Sequence, residues 1–272
     1  MNITNIIIIV VLILVILWVI NRIFFSTNII YDIMCDANKK SEKNKILNSE
    51  FPENNTFNFT LSLWFYIDSW NNQLAEEKNI IYIASNSTAK THENLKEQSV
   101  GISKKVECGR MEGFKNLGVT LDQYENNLFI DIETIPTDTN DCSGSVFTRY
   151  KLKNIPVQKW NNLTISVDTR TLDVYLDGKL RNSFIMHGLY KNKYESVSAK
   201  KNLYLGSINK TNMGFEGFIT RIRYEASGIN PQEAYNIYRE GINSSVARSI
   251  YNKYKLKVSF LEYNKEKGSF TL

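Results

Sequence analysis

Asp131 and Glu133 stand two residues apart in Phe129-Ile-Asp-Ile-Glu133, a spacing that puts both carboxylates on one face of a strand. Two carboxyl groups about 5 Å apart can cleave a glycosidic bond, one as nucleophile and the other as acid and base. The plain reading is different: both are solvent-facing residues of an ordinary strand, with a ligand- or partner-facing role as the alternative. His92 and His187 are the only histidines, and neither has a Ser or Cys nearby in a nucleophile context, so a hydrolytic triad is not expected. Asp138, Asn140 and Asp141 offer oxygens of the kind calcium takes, but their spacing matches no recognisable ligand set, so no metal or other cofactor is expected. Three cysteines, Cys35, Cys108 and Cys142, are too few and too scattered for a disulfide framework or a zinc site, although Cys108 and Cys142 can pair if their loops meet. Trp64 and Tyr66 are the aromatic candidates. They alternate with apolar positions, so their rings point away from the core, to stack on a sugar ring or a protein partner or to lie under a second layer.

The elements that would hold these groups read as strands. Phe57, Phe59, Leu61, Leu63, Phe65 and Ile67 occupy every second position of the longest period-two run, which predicts a central strand with one wholly apolar face. In the stretch Trp160 to Met186, Leu163, Ile165 and Val167, then Leu172, Val174 and Leu176, alternate with polar residues or Tyr175. Asp168-Thr-Arg-Thr171 and Asp177-Gly178 separate three strands there, the second being a strong hairpin signal because Gly tolerates positive φ. Shorter strands are expected at Ile80 to Ala84, Ser99 to Ser103, Leu117 to Leu121, Leu128 to Glu133 and Val146 to Leu152. Asn230-Pro-Gln-Glu233 starts a helix: Asn230 caps, Pro231 suits the first turn, and Glu233 reaches back to the cap amide. Ala234, Ile237 and Tyr238 share its face and Gly241 ends it.

Three segments carry a resemblance, in order along the chain. Phe59-Thr-Leu-Ser-Leu-Trp-Phe65 is the first. Trp160 with the hairpin Val174-Tyr-Leu-Asp-Gly-Lys179 is the second, and Leu203-Tyr-Leu-Gly-Ser207 followed by Phe215, Gly217, Ile219, Ile222, Arg223 and Tyr224 is the third. Together they resemble the laminin-G-like branch of the concanavalin A-like lectin/glucanase jelly rolls over roughly Asn58 to Gly241. Thr220 stands where that pattern has Asp. The resemblance implies an all-β antiparallel β-sandwich with a short C-terminal helix. It leaves function open, because this fold hosts lectins, hydrolases, adhesion modules and capsid parts alike. Its retaining glucanases carry Glu-x-Asp-x-Glu or a close variant on one strand; Asp131 and Glu133 fit the last two acidic positions, but Phe129 stands where the nucleophile belongs, and a phenyl ring forms no glycosyl ester.

Outside that region, Ile6 to Ile20 is an unbroken run of fifteen apolar residues. A helix over Ile3 to Phe25 spans about 34 Å, enough for a hydrocarbon core of about 30 Å. Residues 1–25 therefore read as an uncleaved transmembrane anchor with the lipid bilayer as partner of residues 3–25. Met1 to Asn5 carry no Lys or Arg and no small-x-small site follows, which argues against a cleaved signal peptide. Arg22, Lys39, Lys40, Lys43 and Lys45 place the large domain on the cytoplasmic side by the positive-inside rule. Residues 26–55 read as a tether, 56–241 as the jelly-roll domain and 242–272 as a basic tail. Leu256, Val258 and Phe260 alternate in that tail, with a turn at Asn264 to Gly268 and a return strand at Ser269 to Leu272. Arg248, Lys253, Lys255 and Lys257 are its docking candidates. The formal net charge of +5 sits largely there and favours an acidic protein or membrane partner; no nucleic-acid reading motif accompanies it. Seven Asn-x-Ser/Thr sites do not establish a secreted domain, since two fall inside expected strands.

The expectation is a membrane-anchored, non-enzymatic binding or structural module on a single-pass anchor. Its tail is similar to those that follow lectin-like domains in membrane-anchored proteins of large DNA viruses, which implies a virion or membrane assembly. Two alternatives stand beside it, a glycan-binding lectin displayed on a surface and a glycoside hydrolase with an atypical site.

Overall fold

The computed structural model describes residues 28–242 apart from 42–43, 53, 55, 71–74, 91–96, 99–114, 137–145, 192–200 and 211, together with the backbone of 257–262 and 265–271. Residues 28–239 form one compact unit; 1–27 with 240–272 form another. The anchor segment 3–25, the docking residues Arg248, Lys253 and Lys255, the pair Cys108 and Cys142, the oxygens of Asp138, Asn140 and Asp141, and the strand expected at Ser99 to Ser103 all lie outside the described residues. Among the described residues no helix is long and apolar enough to cross a membrane.

The larger unit is a sandwich of two sheets. The first contains β1 (Ile29–Tyr31), β2 (Cys35–Asp36), β4 (Phe59–Ser69), β10 (Trp160–Asp168), β11 (Thr171–Leu176), β12 (Lys179–Ile185) and β15 (Glu216–Glu225). Its order is β1-β15-β4-β10-β11-β12, with β2 also on β15. The second contains β3 (Lys45–Ile46), β5 (Lys78–Ala84), β6 (Glu97–Gln98), β7 (Leu117–Leu121), β8 (Leu128–Pro136), β9 (Val146–Leu152), β13 (Gly188–Tyr190) and β14 (Asn202–Leu205). Its order is β3-β14-β5-β7-β8-β9-β6, with β13 beside β8. Every pairing between neighbours is antiparallel except β6 with β9.

Alternation makes the core. Phe59, Leu61, Leu63, Phe65 and Ile67 are all 0 % exposed and face Leu117, Val119, Leu128, Ile130 and Ile132 of the second sheet in one apolar cluster. Burying each such side chain contributes roughly 1.5–3 kcal/mol. β4 is central, as its periodicity predicts, flanked by β15 and β10.

Short strands correct the expected tether. Residues 26–55 read as a polar linker, yet β1 and β2 pair with β15, and β3 pairs with β14. Strands of two or three residues carry no period to detect, and their stability comes from the edges they extend. The apolar run thus ends at Phe25, only a few residues before the sandwich begins.

Two local devices match their sequence signals. Asp177 (φ +53) and Gly178 (φ +70) both take positive φ, the geometry of a two-residue hairpin turn between β11 and β12. Asp177 Oδ1 accepts from the Asn162 amide at 3.0 Å and Oδ2 from Lys159 Nζ at 2.8 Å, tying the turn to β10. Helix α1 (Pro231–Arg239) opens with a reciprocal capping box. The Glu233 amide donates to Asn230 Oδ1 at 3.0 Å and the Asn230 amide donates to Glu233 Oε2 at 2.8 Å. Ala234 and Ile237 are its buried residues. A Cβ on Gly178 would sit 2.8 Å from Tyr238 Cβ, so the turn and the helix pack in direct contact.

In the second unit, β16 (Lys257–Glu262) pairs with β17 (Lys265–Thr271) as an antiparallel hairpin. β17 begins at Lys265, inside the turn expected at Asn264 to Gly268, and Lys257 is the first residue of β16.

Candidate functional site

Register across three strands of the first sheet lines up three aromatic residues. Phe218 on β15 pairs with Tyr66 on β4, and Tyr66 pairs with Trp160 on β10. Their neighbours Ile219 and Phe65 point into the core, so by strand alternation the three rings stand on the outer face. With strands about 4.8 Å apart, the row spans roughly 10 Å. Phe218 is 38 % exposed, and Tyr66 and Trp160 are half-buried. The Tyr66 and Trp160 rings lie 5.6 Å apart and are tilted by 49°, so the row is faceted, not flat. A Cβ on Gly217 would lie 1.9 Å from the Tyr66 carbonyl oxygen; glycine there lets β15 approach β4 and holds Phe218 against Tyr66.

Two residues along β4, the same face is closed. Trp64 is 6 % exposed and its ring stacks on Tyr238 of α1 at 5.7 Å. Beneath the helix and the chain leading into it lies a polar layer with internal partners. Thr164 Oγ1 donates to Ser62 Oγ at 2.8 Å, Asn162 Nδ2 donates to Ser62 Oγ at 3.2 Å, Thr60 Oγ1 donates to the Ser227 carbonyl at 2.7 Å, and the Ile229 amide donates to Ser166 Oγ at 2.9 Å. Of the two aromatic candidates, Trp64 therefore supports the helix and Tyr66 opens to solvent. Trp160 and Phe218 carry no local signal for this role, because only the pairing register sets them beside Tyr66.

The outer face of the second sheet is ionic. Asp131 and Glu133 are 2 % and 1 % exposed, buried in place of the solvent-facing positions expected. The cause is their cross-strand partners. Arg149 lies opposite Asp131 and grips it with Nε and Nη2, both at 2.7 Å. The same guanidinium holds Glu77 through Nη1 and through Nη2 at 3.0 Å, and lies 4.6 Å over the Phe129 ring. Burial opposes the Arg149 charge, but hydrogen bonds to Asp131 and Glu77 carry its pKa upward and keep it cationic. Glu133 accepts from Asn116 Nδ2 at 3.0 Å and pairs with Lys191 Nζ at 3.3 Å. These carboxylates are thus committed to internal ion pairs.

Two lysines on this face are buried. Desolvation pushes the Lys201 amine down to about 7 and the Lys115 amine down to about 8, against the pull of Glu133 on the first and of Asp131 and Glu77 on the second. In the unfolded chain both amines hold their protons until about pH 10.4. The unfolded state therefore binds more protons above about pH 7, and unfolding free energy rises with pH. Urea unfolding is expected to show greater stability at about pH 8.5 than at about pH 7, and a Lys115→Met/Lys201→Met variant to lose that rise. The Cys35 thiol, raised to about 11 by burial, opposes the trend only above about pH 8.5.

No family model matches the sequence, and no curated protein matches it significantly. Solved structures do align with the backbone at low identity. The binding domain of botulinum neurotoxin DC in complex with rat synaptotagmin II aligns with TM-score 0.40 and 12 % identity, over 67 % of this chain and 35 % of that one. The receptor binding domain of botulinum neurotoxin D gives TM-score 0.44 at 12 % identity, over 77 % of this chain and 43 % of that one. Domain 4 of AbnA, a GH43 extracellular arabinanase from Geobacillus stearothermophilus in complex with arabinotriose, gives TM-score 0.38 at 17 % identity, over 67 % of each chain. The chain thus spans 35–43 % of the length of these toxin domains, and likenesses of this size assign it no function.

Proposed function

We propose that this chain is a membrane-anchored, non-enzymatic binding module in which a laminin-G-like sandwich grips a protein partner through the Phe218, Tyr66 and Trp160 row. The carrying observation is that row: three aromatics from three strands, on an outer face that α1 covers at Trp64 and leaves open at the row. Partly exposed Trp and Tyr are the residues that dominate protein interfaces when a partner desolvates them. Their mutual tilt suits side chains entering from a partner better than the flat face of a polysaccharide. The commitment of Asp131 and Glu133 to Arg149, Asn116 and Lys191 supports a role without bond-making. The anchor at 3–25 holds the module to the bilayer, and the tail lysines Lys253, Lys255 and Lys257 with Arg248 add contacts to an acidic neighbour. A virion or other membrane-bound assembly with the sandwich on the cytoplasmic side fits these parts.

The experiment is a glycan array and a polysaccharide hydrolysis panel run on the detergent-solubilised chain. The expected outcome is no saturable glycan binding and no sugar release. Reproducible glycan binding abolished by Trp160→Ala would make the module a lectin instead, and release lost in Glu133→Gln would make it a hydrolase.

A further inference from the structure

At the β3 edge of the second sheet, far in sequence from the aromatic row's Trp160, a cleft of about 550 Å³ opens between two loops. That volume lies in the range of small-ligand sites. Among the described residues it is lined by Lys40, Ser41, Lys45, Ser87, Tyr204 and Ile208: two ammonium groups, two aliphatic hydroxyls, a phenol ring and one aliphatic side chain, with no carboxylate among them. Asp36, the acid nearest Lys40 in sequence among the described residues, is already engaged by Lys39 at 2.9 Å.

Both walls are pinned. On one side Asn44 Nδ2 donates to the Lys39 carbonyl at 3.0 Å, and its Oδ1 accepts from the buried Cys35 thiol at 3.2 Å, tying Asn44 to the backbone beside Lys40. On the other, the Ser87 carbonyl accepts from Tyr82 Oη at 2.8 Å, Asn209 Nδ2 at 2.6 Å and Asn212 Nδ2 at 3.1 Å. Three donors on one carbonyl hold the Ser87 loop rigid. The floor is Tyr204, stacked on Tyr82 at 4.8 Å, with Lys45 Nζ 6.0 Å over the Tyr204 ring and Lys115 Nζ 4.9 Å over the Tyr82 ring. Lys45 and Tyr204 are register partners on β3 and β14, so the amine is positioned by the sheet and not by a loop alone.

We infer that this cleft is an anion site for a phosphate-bearing ligand, a second binding site separate from the aromatic row. Two amines and two hydroxyls around one concavity match a tetrahedral dianion with several acceptor oxygens better than a carboxylate, which has two. A preorganised wall spares the ligand the cost of ordering it. The same chemistry comes from two sources, a phospholipid headgroup or a soluble phosphate ester, and the test separates them.

Detergent-solubilised full-length chain is titrated with inorganic phosphate and with inositol trisphosphate by calorimetry. In parallel, the chain in nanodiscs of phosphatidylcholine, with and without a phosphoinositide, is acetylated and the modification of Lys40 and Lys45 is read by mass spectrometry. The expected result is saturable binding that weakens about tenfold for each of Lys40→Ala and Lys45→Ala and falls as salt rises, while Lys179→Ala on β12 changes nothing. Protection of Lys40 and Lys45 only in phosphoinositide nanodiscs assigns a lipid headgroup; binding of the soluble ester without that protection assigns a free ligand. Absence of both, or binding that the Lys40→Ala/Lys45→Ala double variant leaves within about twofold, overturns the site. Both lysines are exposed, so these variants keep the fold.

Discussion

Arg149→Ala lowers the unfolding free energy by about 3–5 kcal/mol, the cost of removing one partner from a buried ion pair. The size follows from what is left behind. Asp131 is 2 % exposed and both its oxygens are satisfied by the Arg149 fork, so alanine leaves a desolvated carboxylate with its two guanidinium hydrogen bonds gone and strips Glu77 of the same group. Urea unfolding with an unchanged slope is the measurement. The companion Arg149→Met/Asp131→Leu recovers most of the loss, because a packed apolar pair of similar volume carries no stranded charge. A loss under about 1 kcal/mol for Arg149→Ala would mean that the face is wet and the network ornamental.

Gly217→Ala is the second large effect. Its Cβ would lie 1.9 Å from the Tyr66 carbonyl oxygen and 2.7 Å from the Phe215 ring, neither of which can yield without moving β15 away from β4. The expected loss is about 3 kcal/mol or more, and the displacement falls on the pairing that seats Phe218 beside Tyr66. Gly241→Ala is the control. There φ is +74 but a Cβ meets nothing within 4 Å, so the cost is the conformational strain alone, about 1 kcal/mol. Equal effects at the two positions would show that the close approach of β15 to β4 is not what Gly217 permits.

Much of the fold was legible because the relevant forces act over a few residues. Phe59 to Ile67 alternates strictly and becomes the central strand; Asp177-Gly178 demands positive φ and turns the hairpin; Asn230 and Glu233 cap each other's amides. What stayed hidden depends on partners distant in sequence. β1, β2 and β3 are too short to show a period and exist because β15 and β14 offer them an edge. Asp131 looked solvent-facing because nothing near it announces Arg149, which meets it only through β8–β9 register. Tyr66 was visible as an outward aromatic, whereas its companions Trp160 and Phe218 are joined to it by two separate strand pairings. The cleft at Lys40 and Lys45 lies partly in a polar stretch without period, and only the pairing of β3 with β14 brings Lys45 onto Tyr204.

The most direct test of recognition through the aromatic row is site-specific photo-cross-linking of the full-length chain in the membranes of cells that make it. A photoreactive phenylalanine analogue replaces Phe218 in one sample and the exposed Ile185, at the β12 edge of the same sheet, in another. A discrete protein adduct is expected from position 218 that disappears when Trp160→Ala or Tyr66→Ala is added, and no such adduct from position 185. An adduct that survives both substitutions, or none from position 218, would contradict it.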